Sequence, residues 1–214
     1  MSLRGWLSSR KRTKTKDEVP KKRRRRRLPK RLTRGEAALL LDAADDGTWR
    51  GERNRCIVEM MYRAGLRVSE VVALRPRDVE RDGAVHVWDG KGGVDRTARL
   101  DPSAVLPHLD RWQETRASMG LADDAPLFCR ADGGQLTTRS VQMTLRNLKE
   151  RAGIAGSCTP HVLRHTFASE LLEEGFSTRE VQVLLGHASV ATTEIYTWVT
   201  ESDLAAKVRE RTVR

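Results

Sequence analysis

The chain has 214 residues, 38% of them hydrophobic, and a formal net charge of +11, enough apolar material for one ordinary folded domain with its own core. The charge sits at one end: residues 1–34 hold 16 Lys/Arg against Asp17 and Glu18, whereas residues 35–214 carry 24 basic and 27 acidic side chains, a balance of −3. No apolar run reaches the ~18–20 residues of a membrane span, the N-terminus lacks the ~7–15-residue apolar stretch of a secretory signal, and the three separated cysteines Cys56, Cys129 and Cys158 imply no disulfide framework, so the membrane and disulfide-rich secreted classes are excluded and an intracellular protein is expected.

Residues 1–32 read as a basic, disordered tail, because self-repulsion and a lack of apolar residues leave nothing to fold around. Its core is "KKRRRRR": Lys21, Lys22, Arg23, Arg24, Arg25, Arg26 and Arg27. Such a run can be a solvated charge run, but seven consecutive cations also neutralise phosphates efficiently, which points to a nucleic acid. Folded structure is expected from residue 33 to 214.

Thr33 and Glu36 have capping-box spacing ahead of Ala37, Leu40, Leu41 and Ala44. A second helix places Ile57, Met60, Met61 and Ala64 on one face and stops at Gly65. Ser69 is placed to cap a short third helix, "EVVAL". "AVHVW" and "DRTARL" alternate as strands around "DGKGG", a β-hairpin turn. Helices follow at about 102–119 and 138–152, and Thr159-Pro160 opens another with cap and first-turn proline in their usual places. "STRE" at 177–180 is a second capping box, leading a helix that ends at Gly186; Ser189 can cap a further helix toward Tyr196, and a last one spans roughly 201–212. The fold class is mainly α with a small antiparallel β-sheet (α+β).

"HVLRHTFAS", residues 161–169, gathers His161, Arg164 and His165 beside Val162, Leu163 and Phe167. Three readings compete: a metal site, an anion clamp, or a half-buried helix with ordinary polar decoration. Zinc is disfavoured, because no glutamate sits between the histidines and a third ligand would have to be Cys158 or His187 at no recognisable spacing. His161 and Arg164, at i and i+3, share a face, while Leu163, Phe167 and Leu171 form a stripe elsewhere. His165 falls nearer the stripe and reads as a packed, hydrogen-bonded core histidine. A multi-donor cationic pair suits a phosphate, and "GLRVSE" and "LGHAS" add Arg67 and His187 in the same style.

In order, "AGLRVSEVVAL", "GKGGVDR", "HVLRHTFASELL" and "LLGHASVATTEIYTWV" resemble the successive boxes of the tyrosine recombinases, or phage-type integrases, and their Xer group most closely. The intervals agree as well: Arg67 to Lys91 is 24 residues, His161 to Arg164 is 3, Arg164 to His187 is 23 and His187 to Tyr196 is 9. The resemblance implies a tyrosine recombinase catalytic domain that cuts and rejoins double-stranded DNA through a 3′-phosphotyrosyl intermediate, with neither ATP nor metal and no cofactor. It implies Tyr196 as nucleophile, Arg67 and Arg164 as phosphate clamps, Lys91 as general acid, His161 as proton acceptor and His187 as a donor to a non-bridging oxygen. It further implies a homo-oligomer, a tetramer on two DNA sites, working in the cytoplasm at the nucleoid without a membrane.

Two features depart from the family pattern. Val94 and Asp95 stand where the hairpin box often has a second basic residue. Relatives also usually carry an N-terminal helical domain of roughly a hundred residues that clamps the far side of the duplex, which is expected to be absent here. That keeps open a DNA-binding regulator using the fold without strand exchange, and an activity of the type IB topoisomerase kind. The last helix, with Leu204, Ala205 and Val208 on one side, can dock on a neighbouring protomer or fold back on its own core.

Overall fold

In a computed structural model, residues 31–88, 95–186 and 201–210 are described. The elements are α1 (Arg34–Ala44), α2 (Trp49–Arg63), α3 (Val68–Ala73), a 3-10 turn (Pro76–Asp78), β1 (Ala84–Val87), β2 (Arg96–Arg99), α4 (Pro102–Ser118), α5 (Thr138–Arg151), α6 (Pro160–Glu173), α7 (Thr178–Leu185) and α8 (Glu201–Glu210). β1 and β2 pair antiparallel, with Val85 opposite Ala98 and Val87 opposite Arg96. The expected basic tail, the hairpin tip at 89–94 and the helix from Ser189 toward Tyr196 lie outside the described residues.

Local signals account for most helix starts. Thr33 and Glu36 form the reciprocal capping box of α1, Ser177 and Glu180 that of α7, and Thr159 accepts the Val162 N–H ahead of Pro160 in α6. One expectation is corrected. α3 begins two residues earlier than a Ser69 cap would put it: Arg67 is the N-cap, and Glu70 at the third helical position reaches back to accept the Arg67 N–H at 2.7 Å. A carboxylate satisfies that orphan donor better than a hydroxyl inside the helix can.

The core falls into two clusters. The larger gathers Leu40, Ile57, Met60, Leu66, Val85, Trp112, Phe128, Leu145 and Leu163 from α1, α2, the sheet, α4, α5, α6 and segments that connect elements. The smaller gathers Phe167, Leu171, Phe176, Val181, Leu184, Leu185, Leu204 and Val208. α6 belongs to both, which is why it is buried almost all round, from Val162 to Leu171. α8 folds back on its own chain, with Leu204, Ala205 and Val208 each no more than 7% exposed and Lys207 paired with Glu180. All three cysteines are free and buried.

Between α2 and α4 the interior holds a carboxyl, Glu59, with no exposed surface. His108 Nδ1 lies 3.0 Å away and Arg55 Nε 3.6 Å, yet neither Glu59 oxygen has a well-formed hydrogen bond among the described residues. Burial pushes Glu59 up to about 7 in spite of the Arg63, Arg55 and Arg111 charges, and burial also pushes His108 down. The folded pKa of Glu59 lies above its ordinary value of 4.5, so the folded state binds the proton more tightly and stability falls as pH rises from there to about 7. Glu59→Gln is therefore expected to remove that fall and to stabilise the chain at pH ~8 by about 2–3 kcal/mol. Thermal unfolding of both proteins across pH ~4 to 9 measures it, and parallel pH profiles would contradict it.

Candidate phosphate-binding site

Gly65, which follows α2 and its C-cap Ala64, adopts φ +63°, and a Cβ there would lie 2.5 Å from Phe167 Cδ1 and 2.8 Å from Leu185 Cδ2. This close approach places the Gly65 carbonyl against α6. Arg164, 8% exposed, donates from Nη1 to Gly65 O and from Nη2 to Leu185 O at 2.6 Å. Gly186, in the left-handed conformation at φ +62°, ends α7 so that its last carbonyls face the same place. Arg67 donates from Nη1 to Glu70 Oε1 at 2.7 Å, and its Nη2 lies 3.5 Å from Gly186 O.

The structure thus brings Arg67 and Arg164 together, and adds two residues to which the sequence analysis assigned no role. Arg96 of β2 donates from Nη1 to Leu184 O at 2.9 Å and from Nη2 to Glu70 Oε2 at 2.8 Å. Carbonyls 184, 185 and 186 are each met by a different arginine, Arg96, Arg164 and Arg67. The negative end of a helix favours such cations. The available signal for Arg96 was its position in the "GKGGVDR" box, and for Glu70 its place three residues after Arg67.

One carboxylate faces three guanidiniums. Burial pushes Arg164 down to about 10, and the neighbouring Arg67 and Arg96 charges push it the same way. Burial likewise lowers Arg96 despite Glu70. Burial opposes the charge on Glu70 too, but Arg96 and the hydrogen bonds from Arg67 hold its carboxyl below the usual range. A site with surplus, partly desolvated positive charge and N–H donors left over binds an oxyanion strongly. Alongside, a cleft of about 320 Å³ is walled by Glu70, Arg75, Arg77 and the exposed Trp88.

The remaining expected residues divide. His161 is exposed on the first turn of α6, three residues before the buried Arg164. His165 is half-buried rather than a core residue, because the inward positions around it are taken by Leu163, Arg164, Thr166 and Phe167. Lys91, His187, Tyr196 and Lys21 to Arg27 lie outside the described residues. Tyr62, the other tyrosine, donates its hydroxyl to Glu170 Oε1 at 2.9 Å.

Comparison with known proteins bears on the same residues. The model of the phage integrase family matches residues 30–203. The chain belongs to the phage integrase family. It is 42% identical over 183 residues to tyrosine recombinase XerD of Mycobacterium tuberculosis, an alignment covering 82% of this chain and 58% of that protein. The chain therefore spans a little over half the length of the curated relatives it matches. Among solved structures, XerA recombinase superposes with a TM-score of 0.69 at 35% identity, covering 88% of this chain and 67% of that one. The XerH site-specific recombinase bound to difH substrate, in a pre-cleavage complex, superposes with a TM-score of 0.66 at 27% identity, covering 76% and 48%. The fold is that of a tyrosine recombinase catalytic domain, and no helix among the described residues is long and apolar enough to cross a membrane.

The clamp depends on Gly65. Gly65→Ala combines a strained positive φ with overpacking against Phe167 and Leu185, each costing about 1 kcal/mol or more. A loss of about 2 kcal/mol or more in thermal or urea unfolding is expected, and an unchanged melting temperature would contradict the packing described.

Proposed function

We propose that this chain is the catalytic portion of a site-specific DNA recombinase that acts through a covalent phosphotyrosine. The observation that carries the reading is the convergence of Arg67 and Arg164 on the end of α7, with a single carboxylate to balance three guanidiniums. Tyr196 Oη attacks a DNA phosphorus, the bond from phosphorus to the 5′-oxygen breaks, and a 3′-phosphotyrosyl link with a free 5′-hydroxyl results. A partner strand's 5′-hydroxyl reverses the attack, so bond energy is conserved and no ATP is consumed.

Each group has a physical task. Arg67 and Arg164 donate to the non-bridging oxygens, where negative charge spreads in the transition state. A tyrosine hydroxyl with an ordinary pKa near 10 must lose its proton as it attacks; His161, exposed three residues before Arg164 in α6, accepts it. Lys91 protonates the leaving 5′-oxygen and His187 donates to a non-bridging oxygen. Arg139 and Arg146 on the exposed face of α5, with Lys149, border a cleft of about 590 Å³ that runs to the start of α6. This surface suits a DNA backbone and its groove. Four protomers on two duplexes, at the nucleoid in the cytoplasm, complete the reading.

Nicked duplexes with a randomised core, incubated with the chain and resolved on denaturing gels, test it. The wild-type chain is expected to give a covalent adduct that maps to Tyr196. Tyr196→Phe keeps the ring, so binding should change little while the adduct disappears. An adduct that persists in the variant, or maps to Tyr62, overturns the nucleophile assignment. A wild-type chain that binds DNA without any adduct is a regulator instead.

The tail has its own test. Residues 35–214 carry −3, so Lys21 to Arg27 supply the general grip on polyanions. Seven neutralised phosphates give a log–log salt slope of about −6. Deleting residues 1–30 is expected to flatten the slope and weaken specific and random duplexes by a similar factor, since phosphate contacts carry no sequence information. Equal slopes for the two proteins would make the tail a solvated linker.

A further inference from the structure

Arg96 stands outside the reaction as derived so far, yet its surroundings are built with care. Its side chain is 8% exposed. One arm of the fork holds Glu70 Oε2 at 2.8 Å and the other holds Leu184 O at 2.9 Å. Its stem passes where Gly186 lacks a side chain: a Cβ on Gly186 would sit 1.9 Å from Arg96 Cδ. Glu70, gripped from one side by Arg96, holds Arg67 with its other oxygen at 2.7 Å.

The arrangement is costly as pure architecture. A third guanidinium is buried beside two others, and its Nε is buried without a hydrogen-bond partner among the described residues. Replacing buried ion pairs by apolar side chains is often neutral or stabilising, so packing alone gives little reason for this charge. What only a planar fork can do here is tie three elements at fixed angles: β2, which starts five residues after Lys91 in sequence; the Glu70–Arg67 start of α3; and the end of α7, two residues before His187.

We propose that Arg96 is a positioning residue for DNA cleavage, acting through Glu70 to aim Arg67 at the scissile phosphate while holding the end of α7 in register. This rests on the recombinase reading above. Lysine cannot replace it, since one ammonium on a flexible stem cannot match the planar fork that meets both Glu70 and the Leu184 carbonyl. Aspartate in place of Glu70 would shorten the link and tilt Arg67.

The test uses the full chain and a duplex recovered from the randomised pool by wild-type covalent capture, remade with either a phosphodiester or a neutral methylphosphonate at the scissile position. Single-turnover adduct formation is followed at saturating DNA for wild type, Arg96→Gln, Arg96→Lys and Glu70→Gln. On the phosphodiester all three variants are expected to be slower by about 30-fold or more, towards the ~10²–10³ that loss of one oxyanion donor costs. On the methylphosphonate, where no non-bridging charge needs an aimed guanidinium, the deficit should shrink to within about threefold, as expected if that interaction is the one lost. The ratio of the two rates does not depend on the fraction of protein folded, so a partly unfolded variant still reports. Wild-type rates for Arg96→Gln, restoration by Arg96→Lys, or an equal deficit on both substrates would overturn the proposal. Failure of the wild-type chain to form any adduct overturns the recombinase reading and this proposal together.

Discussion

Keeping the Arg164 guanidinium charged in a mostly apolar interior is the constraint around which the rest of the molecule is arranged. Even pushed down to about 10, this arginine keeps its proton at neutral pH, so its burial at 8% exposure requires acceptors in fixed positions. Those are the carbonyls of Gly65 and Leu185, the ends of two different helical segments. Each end turns away through a glycine at positive φ, Gly65 and Gly186, which frees the carbonyls to face inward. α6 delivers Arg164 to them because its other faces are committed, Leu163 to the larger core cluster and Phe167 with Leu171 to the smaller. The seam between the clusters is therefore where Arg67, Arg96 and Arg164 meet.

Charge balance separates this seam from the other buried ionic cluster. At Glu59 a carboxyl is surrounded by arginines, but among the described residues its oxygens lack well-formed hydrogen bonds, and burial raises it to about 7. At Glu70 both oxygens are engaged by Arg67 and Arg96, and the carboxyl is held below its usual range even though burial opposes this. The first arrangement tolerates a charge; the second uses one to orient cations. Three guanidiniums against one carboxylate leave an excess of positive charge of the kind that suits a phosphate.

The distribution of charge over the whole chain supports the same division of labour. The folded region is close to neutral at −3, so its positive charge is concentrated in local patches: the arginine seam, Arg75 and Arg77 beside it, and the exposed side of α5. The tail carries the bulk of the positive charge. Long-range attraction can thus reside in one part of the chain, and positioning of a single phosphate in another.

The sequence by itself determined what depends on neighbours within a turn or two: the caps at Thr33, Thr159 and Ser177, the apolar stripe of α6, and the local pattern of each box containing Arg67 or Arg164. These signals are legible because both partners of each interaction lie within a few residues of each other. Only the tertiary structure decided that Arg67 rather than Ser69 caps α3, that His161 faces outward while Arg164 faces inward, that His165 is half-buried, and that α8 packs on its own chain. It also decided that Arg96 and Glu70 join the cluster. The partners of Arg164 are 99 and 21 residues away, and those of Arg96 88 and 26. No local pattern encodes which distant carbonyl a guanidinium will meet; that follows from which helix ends the packing of two cores brings into the same seam.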